Sequence, residues 1–105
     1  MRGTRPDILA CIGNTPLVPL RAIVPANGAR ILLKIESQNP TGSMKDRMAL
    51  AMVAAAEADG RLKPGGAVVE YTGGSTGVSL ALVCAVKGHP LHIVTSDALD
   101  RKSVV

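Results

Sequence analysis

The sequence predicts an α/β fold: a parallel sheet with flanking helices. Short aliphatic runs alternate with two long helix-forming segments, both segments are apolar nearly all round, and Gly or Pro punctuates the junctions. The first part of the chain, from Met1 to Arg30, differs in character. Pro6, Pro16, Pro19 and Pro25, together with Gly13-Asn14-Thr15, read as an extended, turn-rich lead-in.

Residues 31–35 form the first expected strand, followed by a helix that starts near Ser43, a capping residue type, and ends at Gly60. Residues 61–66 make a turn and 67–71 a second strand. A second helix starts around Thr76 and runs to Gly88, where Pro90 forbids continuation, and residues 91–95 form a third strand. The order strand, helix, strand, helix, strand calls for right-handed crossovers and one parallel βαβαβ sheet, with its strands buried on both faces. Helices apolar nearly all round require cover beyond the sheet itself.

Composition narrows the function classes. The 105 residues are 47% hydrophobic, with no Trp, no Phe and a single Tyr, so the core is aliphatic. The formal charge is +4, but the basic residues are scattered singly and no aromatic platform accompanies them, which argues against nucleic-acid binding. Cys11 and Cys84 lie far apart with no C-x-x-C pair and read as free thiols in a reducing compartment. No apolar stretch is long enough to cross a bilayer, and the run from Ile8 to Ile12 is too short for a signal-peptide core. The expected location is the cytoplasm. His89 and His92 have no third ligand at a suitable spacing, so a structural role is expected for both and no metal.

Two loops carry chemistry. Lys45 stands at the mouth of the first helix, whose next residues, 48 to 56, carry no charge. Helical spacing places it over Met48, Ala49 and Met52. Such a lysine either snorkels to solvent or is desolvated into a nucleophilic amine. The second loop, Thr72-Gly73-Gly74-Ser75-Thr76-Gly77, follows the second strand and opens the second helix. It is either an ordinary glycine turn or an anion cradle built from backbone N–H groups, the helix dipole and the hydroxyls of Thr72, Ser75 and Thr76. Both loops belong at the carboxyl edge of a parallel sheet, where ligands bind. A partly desolvated amine beside an anion cradle suits an amino-acid carboxylate held next to a carbonyl-reactive lysine, hence Schiff-base chemistry.

The segment Asn39-Pro40-Thr41-Gly42-Ser43-Met44-Lys45-Asp46-Arg47 resembles the cofactor-lysine segment of fold-type-II pyridoxal-phosphate enzymes. Residues 72–77 resemble their substrate-carboxylate loop, and Ile12-Gly13-Asn14-Thr15-Pro16-Leu17-Val18 their N-terminal signature. The Lys63-Pro64-Gly65 turn falls at the matching place between helix and strand. Cysteine synthases and cystathionine β-synthases are the nearest members. The resemblance implies that Lys45 holds pyridoxal 5'-phosphate as a Schiff base and, once freed by the incoming amino acid, removes its α-proton. β-Elimination from an O-activated serine and addition of a thiol would then give cysteine or a relative. It further implies that Thr72, Gly73, Gly74, Ser75 and Thr76 bind the substrate carboxylate, with Ser75 near the cofactor's ring hydroxyl.

Most relatives have asparagine at the place of Ser75 and often serine at that of Gly73, so substrate choice stays open. Family members have roughly 300 residues, as two domains require. This chain is accordingly expected to be an N-terminal portion ending at Val105, inactive alone. Residues 1–35 would pack with a larger domain, and 36–105 would form most of the smaller one, in a protein that acts on a small amino acid as a homodimer.

Two other readings compete. Residues 71–79 nearly spell the T-G-x-x-x-G-x-G loop of short-chain NAD(P)-dependent dehydrogenases, with Asp97 at the end of the next strand as a ribose-binding carboxylate, although Ser79 replaces the last glycine. The remaining reading is a non-catalytic fragment that binds a partner protein through its exposed helix faces.

Overall fold

A computed structural model describes residues 3–97; the two ends of the expected lead-in and small domain, Met1 and Val105, lie outside them. Helix α1 spans Lys45–Ala58 and α2 spans Ser75–Lys87. Among the described residues there are four short strands: β1 (Leu17–Pro19), β2 (Leu32–Lys34), β3 (Val68–Tyr71) and β4 (Leu91–Val94).

Both helices begin and end for local reasons. The cap position of α1 is Met44, which makes no side-chain cap bond, and the expected capping residue, Ser43, one position earlier, accepts the Lys45 N–H at 3.0 Å. Beyond Asp59 the chain turns through Gly60 at φ +83°, a left-handed conformation that suits glycine. Helix α2 stops at Gly88, φ +79°, where the N–H groups of Gly88 and His89 both return to the Cys84 carbonyl at 2.9 Å. Pro90 follows.

β3 and β4 are parallel, with Val68 opposite Leu91 and Tyr71 opposite Val94, and α2 is the crossover between them. The first expected strand does not join them. β2 instead pairs antiparallel with β1, Leu17 opposite Lys34 and Pro19 opposite Leu32, in a separate two-stranded sheet. Bonds from Leu20 N–H to the Ile31 carbonyl and from Ile35 N–H to the Pro16 carbonyl close its ends. The parallel sheet thus has two strands among the described residues, not three.

Nor are the strands buried on both faces. All three residues of β2 are exposed, and β3 alternates, with Val68 and Glu70 half-buried and Val69 and Tyr71 exposed. Nothing among the described residues forms a second layer over these faces. The 17.4 Å radius of gyration says the same, since a compact chain of this length has about 13 Å.

The core lies where α1 meets α2. Ala49 and Val53 of α1 and Leu80 and Val83 of α2 are buried there with Leu9, from a 3-10 turn at Ile8–Cys11, and Leu62 and Leu91 pack against them. The two helices run side by side in the same direction, because each end is tied to its counterpart. At their starts Ser79 of α2 donates to Asp46 of α1 at 2.6 Å. At their ends Lys87 of α2 donates to Glu57 of α1 at 2.7 Å. His89 completes the second tie, with Nε2 2.7 Å from Glu57 and Nδ1 2.8 Å from the Gly66 carbonyl. Its buried ring is structural, as expected, whereas His92 lies exposed on β4.

Leu80 is 4% exposed at the centre of this interface. Leu80→Ala is expected to lower the stability of the chain by about 3 kcal/mol, read as a lower urea midpoint with an unchanged m-value.

Candidate functional site

The 39–45 loop and helix α2 meet around one buried carboxylate. Asp46, the second residue of α1, has no exposed surface. It accepts the Thr41 N–H at 2.8 Å, the Thr41 hydroxyl, and the Ser79 hydroxyl at 2.6 Å. Burial pushes its pKa up, but the Ser79 and Thr41 donors outweigh burial and hold it below the ordinary aspartate value. The carboxylate therefore stays ionised between the 39–45 loop and α2. Lys45 precedes it in sequence and is half-buried, and among the described residues its ammonium has no hydrogen bond or ion pair.

The apolar stripe expected beneath Lys45 is only partly buried. Ala49 is in the core, but Met48 and Met52 are exposed, because the buried face of α1 is centred on Asp46, Ala49 and Val53.

The glycine loop opens α2 at the carboxyl end of β3. Thr72 Oγ1 accepts the Gly74 N–H at 3.3 Å, and Gly77 N–H returns to the Gly74 carbonyl at 3.0 Å. That leaves the N–H groups of Ser75 and Thr76 at the helix start with no acceptor among the described residues, the arrangement that attracts an anion. Gly77 is buried, and a Cβ there would meet Thr72 Cγ2 at 2.8 Å, so this glycine permits the close approach of loop and helix.

A cleft of about 350 Å³ sits at the carboxyl ends of β3 and β4, lined by Thr72, Gly73, Gly74 and Gly77 with Val78, Ala81, Ile93 and Thr95. It gathers the first three residues of the loop. Lys45, Ser75 and Thr76 are not among its lining, and the bond between Asp46 and Ser79 ties the start of α1 to α2 four residues beyond Ser75.

A second polar cluster, unanticipated from the sequence, fixes the Gly13-Asn14-Thr15 turn. Glu36 accepts from Arg47 Nε at 2.6 Å and from Arg47 Nη2 at 3.0 Å, and also from the Thr15 hydroxyl and from Asn39 Nδ2. Asn39 Oδ1 in turn accepts the Gly13 N–H at 2.7 Å, and Lys34 donates to the Thr15 carbonyl at 2.6 Å. Asn14 adopts a left-handed φ of +48°, within reach of asparagine. The turn, the hairpin strand β2 and the start of α1 are thereby one unit. Arg47 and Glu36 are eleven residues apart, and Thr15 and Arg47 thirty-two, so no local pattern announces the cluster.

Among the described residues no group of three or more His, Cys, Asp or Glu side chains could hold a metal ion, and no helix is long and apolar enough to cross a membrane. Both cysteines are free, Cys11 exposed and Cys84 buried.

Comparison with known proteins adds to this geometry. Residues 8–103 match the family model described as pyridoxal-phosphate dependent enzyme. A cysteine synthase of Staphylococcus aureus is 53% identical over 96 residues, covering 91% of this chain and 31% of that protein. Among solved structures, the cysteine synthase of Entamoeba histolytica superposes with a TM-score of 0.81 at 43% identity, over 88% of this chain and 28% of that one. An O-ureido-L-serine synthase superposes with a TM-score of 0.84 at 42% identity, over 94% and 33%. The chain spans about a third of the length of the relatives it matches. Neither the dehydrogenase reading nor the partner-binding fragment finds support in these likenesses.

Hydrogen bonds from Arg47 and then Thr15 lower the Glu36 pKa from 4.5 to about 2. A depressed folded-state value means that the stabilisation is complete above about pH 4.5 and is lost as pH falls toward about 2. Glu36→Gln should therefore melt below the parent at pH 6, with the gap closing between pH 4.5 and 2 in thermal scans; a gap independent of pH would contradict the assignment.

Proposed function

The chain belongs to the family of pyridoxal-phosphate dependent enzymes, and from that premise we propose that its protein replaces the β-substituent of an O-activated serine with a thiol, forming cysteine. One observation carries the reading: an unpaired, half-buried lysine at the start of α1 is tied, through Asp46 and Ser79, to the start of α2 and its hydroxyl- and glycine-rich loop. The likeness to cysteine synthases supports that choice within the family.

The residues present suit the cofactor at one end. Lys45 offers an amine free of competing partners for an aldehyde, and the loop offers unpaired N–H groups and hydroxyls for a carboxylate. Pyridoxal 5'-phosphate, when bound, supplies an electron sink for negative charge developing at the substrate Cα. Lys45 Nζ would hold it and later take the α-proton from the substrate. Thr72, Gly73, Gly74, Ser75 and Thr76 would orient the substrate carboxylate, and the Ser75 hydroxyl would face the cofactor ring. Orientation of this kind is worth several kcal/mol of barrier in general.

The same reading assigns domains. Residues 1–35 would pack against a larger domain, consistent with the exposed side chains of Leu17, Val18, Leu32 and Leu33 on the hairpin, and residues 36–105 would form most of a smaller one. We place the protein in the cytoplasm, as a homodimer acting on a small amino acid, and expect the 105-residue chain alone to turn over nothing.

Adding pyridoxal phosphate to the longest natural form of the protein should produce an absorbance band that borohydride fixes covalently, and Lys45→Ala should abolish both. A band that survives the substitution would falsify the assignment. Gly77→Ala should keep the cofactor but raise KM for the amino acid about tenfold, because the added Cβ forces Thr72 to turn its hydroxyl from the Gly74 N–H. Steady-state kinetics with an unchanged KM would contradict the role given to the loop.

A further inference from the structure

We propose that Asp46 is a positioning residue for the reaction: through Thr41 and Ser79 it fixes the start of α1, and with it Lys45, against the start of α2 and the carboxylate loop. The inference rests on the reading of Lys45 as the cofactor lysine.

The interface around Asp46 is otherwise apolar, and apolar contact is non-directional. Ala49, Val53, Leu80 and Val83 by themselves fix no relative height, a slip of one turn moving a side chain by about 5.4 Å; Lys87 and His89 hold the far ends of the helices on Glu57, and the end that carries Lys45 depends on Asp46. A 2.6 Å hydrogen bond to a buried carboxylate admits one height. Ser79 lies one turn beyond Ser75 on α2, and Asp46 is adjacent to Lys45 on α1. The bond therefore sets how far the lysine stands from the loop. Three donors occupy the carboxylate, none of them Lys45, so Asp46 acts on the geometry of its neighbour and not as a base.

Ser79→Ala removes one hydroxyl and Asp46→Asn removes the charge at constant shape. Each is made in the longest natural form of the protein, loaded with pyridoxal phosphate. Three readouts follow: cofactor bound to Lys45 by borohydride trapping, affinity for a non-eliminating amino acid by absorbance titration, and the kinetic isotope effect with substrate deuterated at Cα. Full cofactor loading, amino-acid affinity weakened about tenfold, kcat reduced about ten- to hundred-fold and an isotope effect larger than the parent's are expected, since a displaced lysine makes proton removal slower. A lower melting temperature with affinity, kcat and isotope effect at parental values would show Asp46 to be a purely structural tie and overturn the proposal. If Asp46→Asn does not fold, Ser79→Ala decides between the same outcomes. Retention of the trapped cofactor in Lys45→Ala refutes the lysine assignment itself, and this inference with it, by a result separate from the other two variants.

Discussion

A charge kept inside an aliphatic interface is the constraint on which the arrangement depends. Taking a carboxylate out of water costs several kcal/mol unless its lone pairs are met, and Asp46 is met three times, by two hydroxyls and one backbone N–H. A well-packed apolar residue in its place could make the helices more stable. What the carboxylate adds is direction. It locks the 39–45 loop to its own helix through Thr41 and locks that helix to the next through Ser79, so the starts of α1 and α2 inherit one fixed relation although β2, which precedes the 39–45 loop, is outside the parallel sheet.

Much of the helical half was legible in the sequence, because its signals are local. Gly60, Gly88 and Pro90 mark helix ends by what their backbones can or cannot do, and Ser43 accepts the Lys45 N–H two residues on, one position ahead of the cap at Met44. The strands at 68–71 and 91–94 were also readable from aliphatic runs between turns. The strand at 32–34 was read correctly as a strand and wrongly as a member of the parallel sheet. Its partner, Leu17–Pro19, hides in a proline-rich stretch, since a three-residue edge strand tolerates Pro19 where a longer central one would not. Candidate residues followed the same rule: Lys45 and the 72–77 loop stand out within a few residues of themselves. Asp46 to Ser79, Glu36 to Arg47 and Thr15 to Arg47 are pairings made by folding, and a single sequence carries no trace of them.

The described residues also leave apolar surface that a finished fold covers. Val69 is 65% exposed on β3 and Leu17 57% exposed on β1, on faces that strands of this composition normally bury. At about 25 cal/mol per Å² such faces favour contact with further protein. The hairpin is held to the helices chiefly by the polar cluster at Glu36, Arg47 and Thr15 and not by a shared core. Polar ties of that kind fix orientation while leaving the hairpin's aliphatic side chains outward. That geometry agrees with a chain spanning about a third of the proteins it resembles.

Parallel neighbouring helices set like dipole ends side by side, which is less favourable than the antiparallel alternative. The charges here are distributed as that problem requires. Asp46 lies between the two positive ends, and Lys87 occupies the last position of α2, where a cation opposes the negative end. Glu57 alone would be unfavourable near the end of α1, but Lys87 and then His89 bond to it and hold its pKa below the ordinary value. Each such placement is worth about 0.3–1 kcal/mol. Asp46 takes its three donors from Thr41 and Ser79, and the N–H groups of Ser75 and Thr76 have no acceptor among the described residues. The start of α2 is thus tied to α1 through a buried anion and still offers unpaired N–H groups that attract a second anion from outside.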